Sequence, residues 1–165
     1  MSAATDLYEC DFYAWTQDQA ALLRAWPEAL RPNALDIAHL AEEIADLGGS
    51  ERRAAQSLFR QVMAHLLKLQ FHPEDTARPH WRGEVGEFRA QLEDVFAASP
   101  SLRARRAELA EKEWARAARI ACRLLADEGH AMAAEAGRAF TAAPGYFELD
   151  AELLDPDWFP GTAHP

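Results

Sequence analysis

The sequence predicts an all-α protein: a compact helical bundle of about five main helices with a C-terminal aromatic-rich segment packed across it. Three observations carry this. Bulky apolar residues recur at steps of three and four through most of the 165 residues, a spacing that gathers them on one face of a helix. Prolines, with Gly48 and Gly129, punctuate these stretches, as helix ends require. No segment alternates apolar and polar residues as a half-buried strand would, and no repeat of solenoid length occurs.

The elements follow in order. Asp6 or Asp11 can cap a first helix in which Phe12, Trp15, Gln19, Leu22 and Trp26 keep helical spacing, ended by Pro27 and Pro32. Asn33 or Asp36 opens a second helix with the stripe Ile37, Leu40, Ala41, Ile44 and Leu47, and Gly48 stands where a left-handed cap is expected. Ser50 then caps a third helix whose face holds Leu58, Phe59, Val62, Met63, Leu66 and Leu69, with Pro73 barring its continuation. The fourth has the clearest stripe, Trp81, Val85, Phe88, Leu92, Val95 and Phe96; its Gly83 and Gly86 suggest close approach by a neighbour. Ser99 and Pro100 suit the start of a long fifth helix carrying Leu102, Leu109, Trp114, Ile120, Leu124 and Leu125, and an alanine-rich helix spans about His130 to Phe140. Beyond it, Tyr146, Phe147, Leu153, Leu154, Trp158 and Phe159 crowd between prolines. They are expected in a short helix near Asp150 to Leu154 and an extended stretch laid on the bundle.

A chain of this length fits one domain, residues 1–165, with an ordered core from 6 to 160 and frayed residues 1–5 and 161–165. Its formal net charge of -10 repels a phosphate backbone and makes nucleic acid an unexpected partner. The arginines of the fifth helix, Arg103, Arg105, Arg106, Arg116, Arg119 and Arg123, alternate with Glu108, Glu111 and Glu113, the pattern of a solvated, charge-paired face. The start lacks a signal-peptide pattern and no apolar run could span a bilayer, so a cytoplasmic location without membrane contact is expected. Cys10 and Cys122 match no CxxC pattern and are read as small apolar packing residues in a reducing compartment.

Glu42 and Glu43 precede the double glycine and His65 and His72 follow it. On a helical wheel Glu43 and Asp36 flank the apolar stripe, whereas Glu42 points away from it. A tight hairpin at Gly48 to Ser50 would bring Glu43 opposite Arg53 or Ser57, and His65 near Asn33 and Asp36. Carboxylate-histidine spacings of the di-metal kind occur at Asp36 with His39 and Asp127 with His130, but His39 falls on a polar face and Asp127 near a helix end. His72 and His80 flank prolines in a loop. No metal or cofactor is expected. The chain has no Gly-x-Ser-x-Gly elbow, phosphate-cradling glycine loop or His-Glu-x-x-His, so no recognisable catalytic motif supports an enzyme.

Four stretches carry a family resemblance: Tyr8 to Arg24 with Asp11, Phe12 and Trp15; Leu35 to Glu74 with Glu42, Glu43, Ile44, Leu47, Gly48, His65, Leu66, Leu67, Lys68 and Gln70; Trp81 to Arg103 with Ser99, Pro100, Ser101 and Leu102; and the tail from Pro144 to Pro160. In that order they resemble the bacterial domain-of-unknown-function family 29 over nearly the whole chain. Two positions depart from the family pattern: Leu69 replaces a tryptophan and Ala143 a cysteine. The resemblance implies a compact all-helical protein and no established activity. The functional expectation is a non-catalytic cytoplasmic interaction or regulatory module that self-associates or binds a protein partner. The alternative is an enzyme or metal-binding bundle using Asp36, Glu43, His65, Lys68 and Gln70, the polar residues flanking the stripes of the most family-like segment. A further alternative is nucleic-acid contact through the fifth helix.

Overall fold

The structure, a computed structural model, describes residues 3–140 and 146–161, with side chains over 6–138 and 146–161; Ala143 and the expected fraying at 162–165 lie outside the described residues. Among these the chain is helical and contains no strand: α1 (Ala3–Cys10), α2 (Phe12–Ala25), α3 (Ile37–Phe71), α4 (Arg78–Ala98), α5 (Pro100–Ala104), α6 (Arg106–Asp127) and α7 (Ala131–Phe140). A 3-10 turn at Glu28–Leu30 and a π-helical turn at Leu149–Leu153 complete it. The chain divides into two compact units, Met1–Ala55 with Asp94–Arg105, and Gln56–Glu93 with Arg106–Pro165.

In the first unit Asp11 separates α1, helical already from Ala3, from α2. Its carboxylate accepts the N–H of Ala14 at 2.9 Å, capping α2, and also the N–H and hydroxyl of Ser101 at 2.7 and 2.8 Å. One carboxylate therefore satisfies orphan donors in the first turns of two helices. Ser99, fully buried ahead of Pro100, accepts the N–H of Tyr13 at 3.2 Å. Arg31 closes the other end of α2 by donating to the carbonyls of Trp26 and Arg24. Asp36 caps α3, accepting the N–H of His39 at 3.2 Å.

Two expected breaks fall elsewhere. Gly48 and Gly49 do not separate two helices; α3 runs through them without reversal. The missing side chain instead admits α2, since a Cβ at Gly48 would lie 2.0 Å from the Thr16 hydroxyl. That hydroxyl is fully buried and donates to the Tyr13 carbonyl at 2.7 Å. Conversely, the expected fifth helix is two, parted at Arg105, whose N–H bonds Leu102 and whose guanidinium donates to the Tyr13 hydroxyl at 3.2 Å. At Gly83 and Gly86 a side-chain Cβ would meet nothing within 4 Å, so no close approach explains them.

In the second unit the latter part of α3 buries Leu58, Phe59, Val62, Met63, Leu66, Leu67, Leu69 and Phe71. Trp81, Val85 and Leu92 of α4 and Leu109, Trp114 and Leu125 of α6 are also buried. Ile120 and Leu124, expected in the α6 stripe, are exposed; Ala117, Ala118, Ala121 and Cys122 are buried there with Leu125. Small side chains let α7 come close, and a Cβ at Gly137 would meet the Cys122 sulfur at 3.3 Å. Cys10, by contrast, is exposed. Arg60 pairs with the buried Glu113 at 2.9 Å.

The C-terminal segment is held by both apolar and polar contacts. Phe147 and Leu153 are buried, and the rings of Trp114, Tyr146, Phe147 and Trp158 form a chain with centroids 5.0 to 6.1 Å apart. Arg89, itself buried, donates to the carbonyls of Leu153, Trp158 and Glu152 at 2.9, 3.0 and 2.6 Å. Burial lowers its guanidinium to about 10, opposed by nearby Asp155; the group stays charged at neutral pH, which strengthens its three bonds.

The glycines give opposing predictions. Gly48→Ala should cost about 1 to 3 kcal/mol through overpacking against Thr16, although alanine is the better helix former. Gly83→Ala and Gly86→Ala should each stabilise by about 0.5 to 1 kcal/mol. Urea denaturation of the three variants checks both signs.

Candidate functional site

The residues nominated from sequence settle into separate local environments. Asp36 pairs with His39 at 2.5 Å on the surface. Glu43 is exposed and, with Glu42, lines an open groove of about 410 Å³ in the first unit together with Gln17, Arg24, Asp46 and Arg53. Arg53 pairs with Asp46 at 3.2 Å, not with Glu43. With α3 continuous, the hairpin that would have set Glu43 against Arg53 or Ser57 and His65 near Asp36 does not form.

In the second unit His65 has both ring nitrogens facing acceptors, the Gln61 carbonyl at 2.9 Å and Glu84 at 3.1 Å. Gln70 donates to the Tyr146 hydroxyl at 2.6 Å and leaves its carbonyl oxygen buried without a partner. Lys68 is buried, its ammonium 4.3 Å from the centre of the Trp81 ring and 3.9 Å from Glu128, a placement that favours the cation through the ring's negative face.

Lys68 adjoins a cluster that sequence reasoning missed. His72, Glu128 and His130 each offer one ligand atom, and no two of these atoms are more than 4.8 Å apart. His72 follows the end of α3 and is buried; its Nε2 lies 3.2 Å from a Glu128 carboxylate oxygen. Its ring meets those of Trp81 and His130 edge to face at 4.8 and 4.5 Å. Its Nδ1 sits 3.1 Å from the Glu74 N–H and 3.3 Å from the Glu74 carbonyl, so either tautomer has a partner.

The end of α6 supplies the other two residues. Gly129 has φ +90°, a conformation that favours glycine. Its N–H reaches the Ala126 carbonyl at 3.1 Å, and that of His130 reaches Leu125 at 2.8 Å, the paired closure of a Schellman motif. The reversal puts Glu128 and His130 on either side of the turn. Sequence spacing had matched His130 with Asp127, which pairs instead with Arg123 at 3.7 Å. The one local signal was a histidine just beyond each helix end, before Pro73 in one case and after Gly129 in the other.

A family model described as a domain of unknown function, DUF29, matches residues 7–159. The chain belongs to the DUF29 family. A solved structure of similar shape is that of an alpha-helical protein of unknown function from Rhodospirillum rubrum, 35% identical, with a TM-score of 0.63 over 74% of this chain and 76% of that one. No curated protein matches. Family membership and the solved relative agree with the helical architecture but carry no activity to this DUF29 chain. Among the described residues no helix is long and apolar enough to cross a membrane.

The surface pair yields a titration test. The bond to Asp36 raises His39 above 6.5, while the bond to His39 lowers Asp36 below 3.8. Any stabilisation from His39 is complete below its unfolded pKa and lost as pH rises through the raised folded value; that from Asp36 is present above its unfolded pKa and lost as pH falls through the lowered one. An NMR titration should find His39 above 6.5, and Asp36→Asn should bring it down.

Proposed function

We propose that this DUF29 chain is a non-catalytic cytoplasmic interaction module that self-associates through its first unit. The supporting observation is an uncovered apolar face. Among the described side chains of α2 and of α3 as far as Gly49, Ile37 is the one bulky apolar residue that is buried. Trp26, Leu40 and Leu47 are 39%, 41% and 54% exposed, and Leu23 and Ile44 are half-buried beside them.

Helical spacing explains why this is a face and not a scatter. α2 meets α3 along Thr16 and Gly48, Gln17 and Ala45, and Arg24 and Ala41. Leu40, Ile44 and Leu47, at i, i+4 and i+7, lie on one flank of that line, with Leu23 and Trp26 of α2. Gln17, Arg24, Glu42, Asp46 and Arg53 line the groove on the other flank. A pair of helices with one apolar side is a single layer, and stable cores need two. A second copy supplies an identical layer through a twofold, self-complementary contact, giving the four-helix arrangement that such faces favour.

The cytoplasmic assignment draws on the sequence, in which Cys10 and Cys122 match no CxxC pattern and suit a reducing compartment. A nucleic-acid role for α6 finds less support, because Arg106, Arg116 and Arg123 pair with Asp150, Glu113 and Asp127.

Light scattering should give twice the mass of one chain at micromolar concentration. The double substitution Leu40→Glu with Leu47→Glu should halve it without loss of helical circular dichroism. A wild-type mass of one chain across a wide concentration range would sink the proposal.

A further inference from the structure

We propose that His72, Glu128 and His130 form a binding site for a divalent transition-metal ion, with zinc as the ion the donor set fits. The proposal concerns the second unit and does not depend on self-association. Two imidazoles and one carboxylate are the donors of three-ligand zinc sites that keep a further position open. Magnesium and calcium call for oxygen ligands and fit poorly.

The geometry is close to what an ion needs. Zinc bonds of about 2.0 to 2.2 Å place tetrahedral ligands roughly 3.3 to 3.5 Å apart, and His72 Nε2 to Glu128 is already 3.2 Å. The widest pair, no more than 4.8 Å, closes by adjustment of Glu128, whose side chain is 40% exposed, and of the half-buried His130. Those same exposed edges give the ion its way in.

His72 is prepared for coordination on its far side. When Nε2 carries the proton it donates to Glu128, and Nδ1 accepts from the Glu74 N–H at 3.1 Å. With the proton moved to Nδ1, the ring donates to the Glu74 carbonyl at 3.3 Å and frees the Nε2 lone pair for a metal. A backbone carbonyl holding the second nitrogen is the usual support of a ligand histidine.

The surrounding field also selects a cation. His72 follows the last residue of α3 and Glu128 that of α6, so the site lies against two helix C-termini, the ends at which the helix dipole is negative. An anion would be repelled there. Lys68 already answers this potential, with its ammonium 3.9 Å from Glu128. It competes with a bound ion for the same carboxylate. Removing its charge should therefore strengthen metal binding, whereas damage to a purely structural network would not.

The test uses the full chain stripped with chelator and titrated with zinc by calorimetry. One zinc per chain is expected. Glu128→Gln and His130→Ala should each weaken binding by about ten-fold or more, His65→Gln and His80→Gln should leave it unchanged, and Lys68→Gln should tighten it. Should a ligand variant lose its helical circular dichroism, the cobalt-loaded wild type decides: two hyperfine-shifted imidazoles, those of His72 and His130, are expected. No zinc heat at about a hundred-fold above micromolar levels, unchanged affinity in folded Glu128→Gln and His130→Ala, or shifted resonances from other histidines would overturn the proposal.

Discussion

The second unit depends on one constraint: the latter half of α3 is buried around most of its circumference. Phe59, Val62, Met63, Leu66 and Leu69 point one way, and Ala64, Leu67 and Phe71 leave little of the rest exposed. A helix enclosed like this leaves few of its polar side chains to water, and several find partners in other elements. His65 takes Glu84 from α4, Gln70 takes Tyr146 from the C-terminal segment, and Lys68 and His72 take Glu128 from the end of α6. The polar pairings that look like candidate chemistry are consequences of burying this helix. Where His72 and Glu128 meet His130 at two helix ends, they also form the donor set proposed for a metal ion.

The first unit is organised differently. Its bulky residues remain largely outside, and its order comes from hydrogen bonds at helix ends. Asp11 serves α2 and α5 together, Ser99 receives Tyr13, and Arg31 and Asp36 close further termini. Such contacts fix geometry but bury little apolar area, and area burial is the larger source of stability. The motif residues Asp11, Ser99 and Ser101 thus have a structural explanation. The exposed leucines of α2 and α3 have none among the described residues.

Sequence pattern revealed the helices wherever burial and periodicity coincided, as in Trp81 to Phe96 and in Leu58 to Leu69. It failed where a residue's reason lay in a distant neighbour. Gly48 looked like a stop because glycine usually is one at that place; its purpose is room for Thr16, more than thirty residues earlier. Ile120 and Leu124 looked like core because size suggests burial, yet both are exposed, and Ala117, Ala118, Ala121, Cys122 and Leu125 are the buried residues of that part of α6. At the candidate site, Lys68 was legible from its place in the family-like segment. Glu128 was not, because only the Schellman turn at Gly129 turns it and His130 towards His72.

Native-state hydrogen exchange of the α3 amides is the most direct measurement of the enclosed-helix claim. Amides from Phe59 to Leu69 should be the slowest in the chain, exchanging only through global unfolding and sharing its denaturant dependence. Exchange of that stretch by local opening, orders of magnitude faster than in α6, would contradict the account.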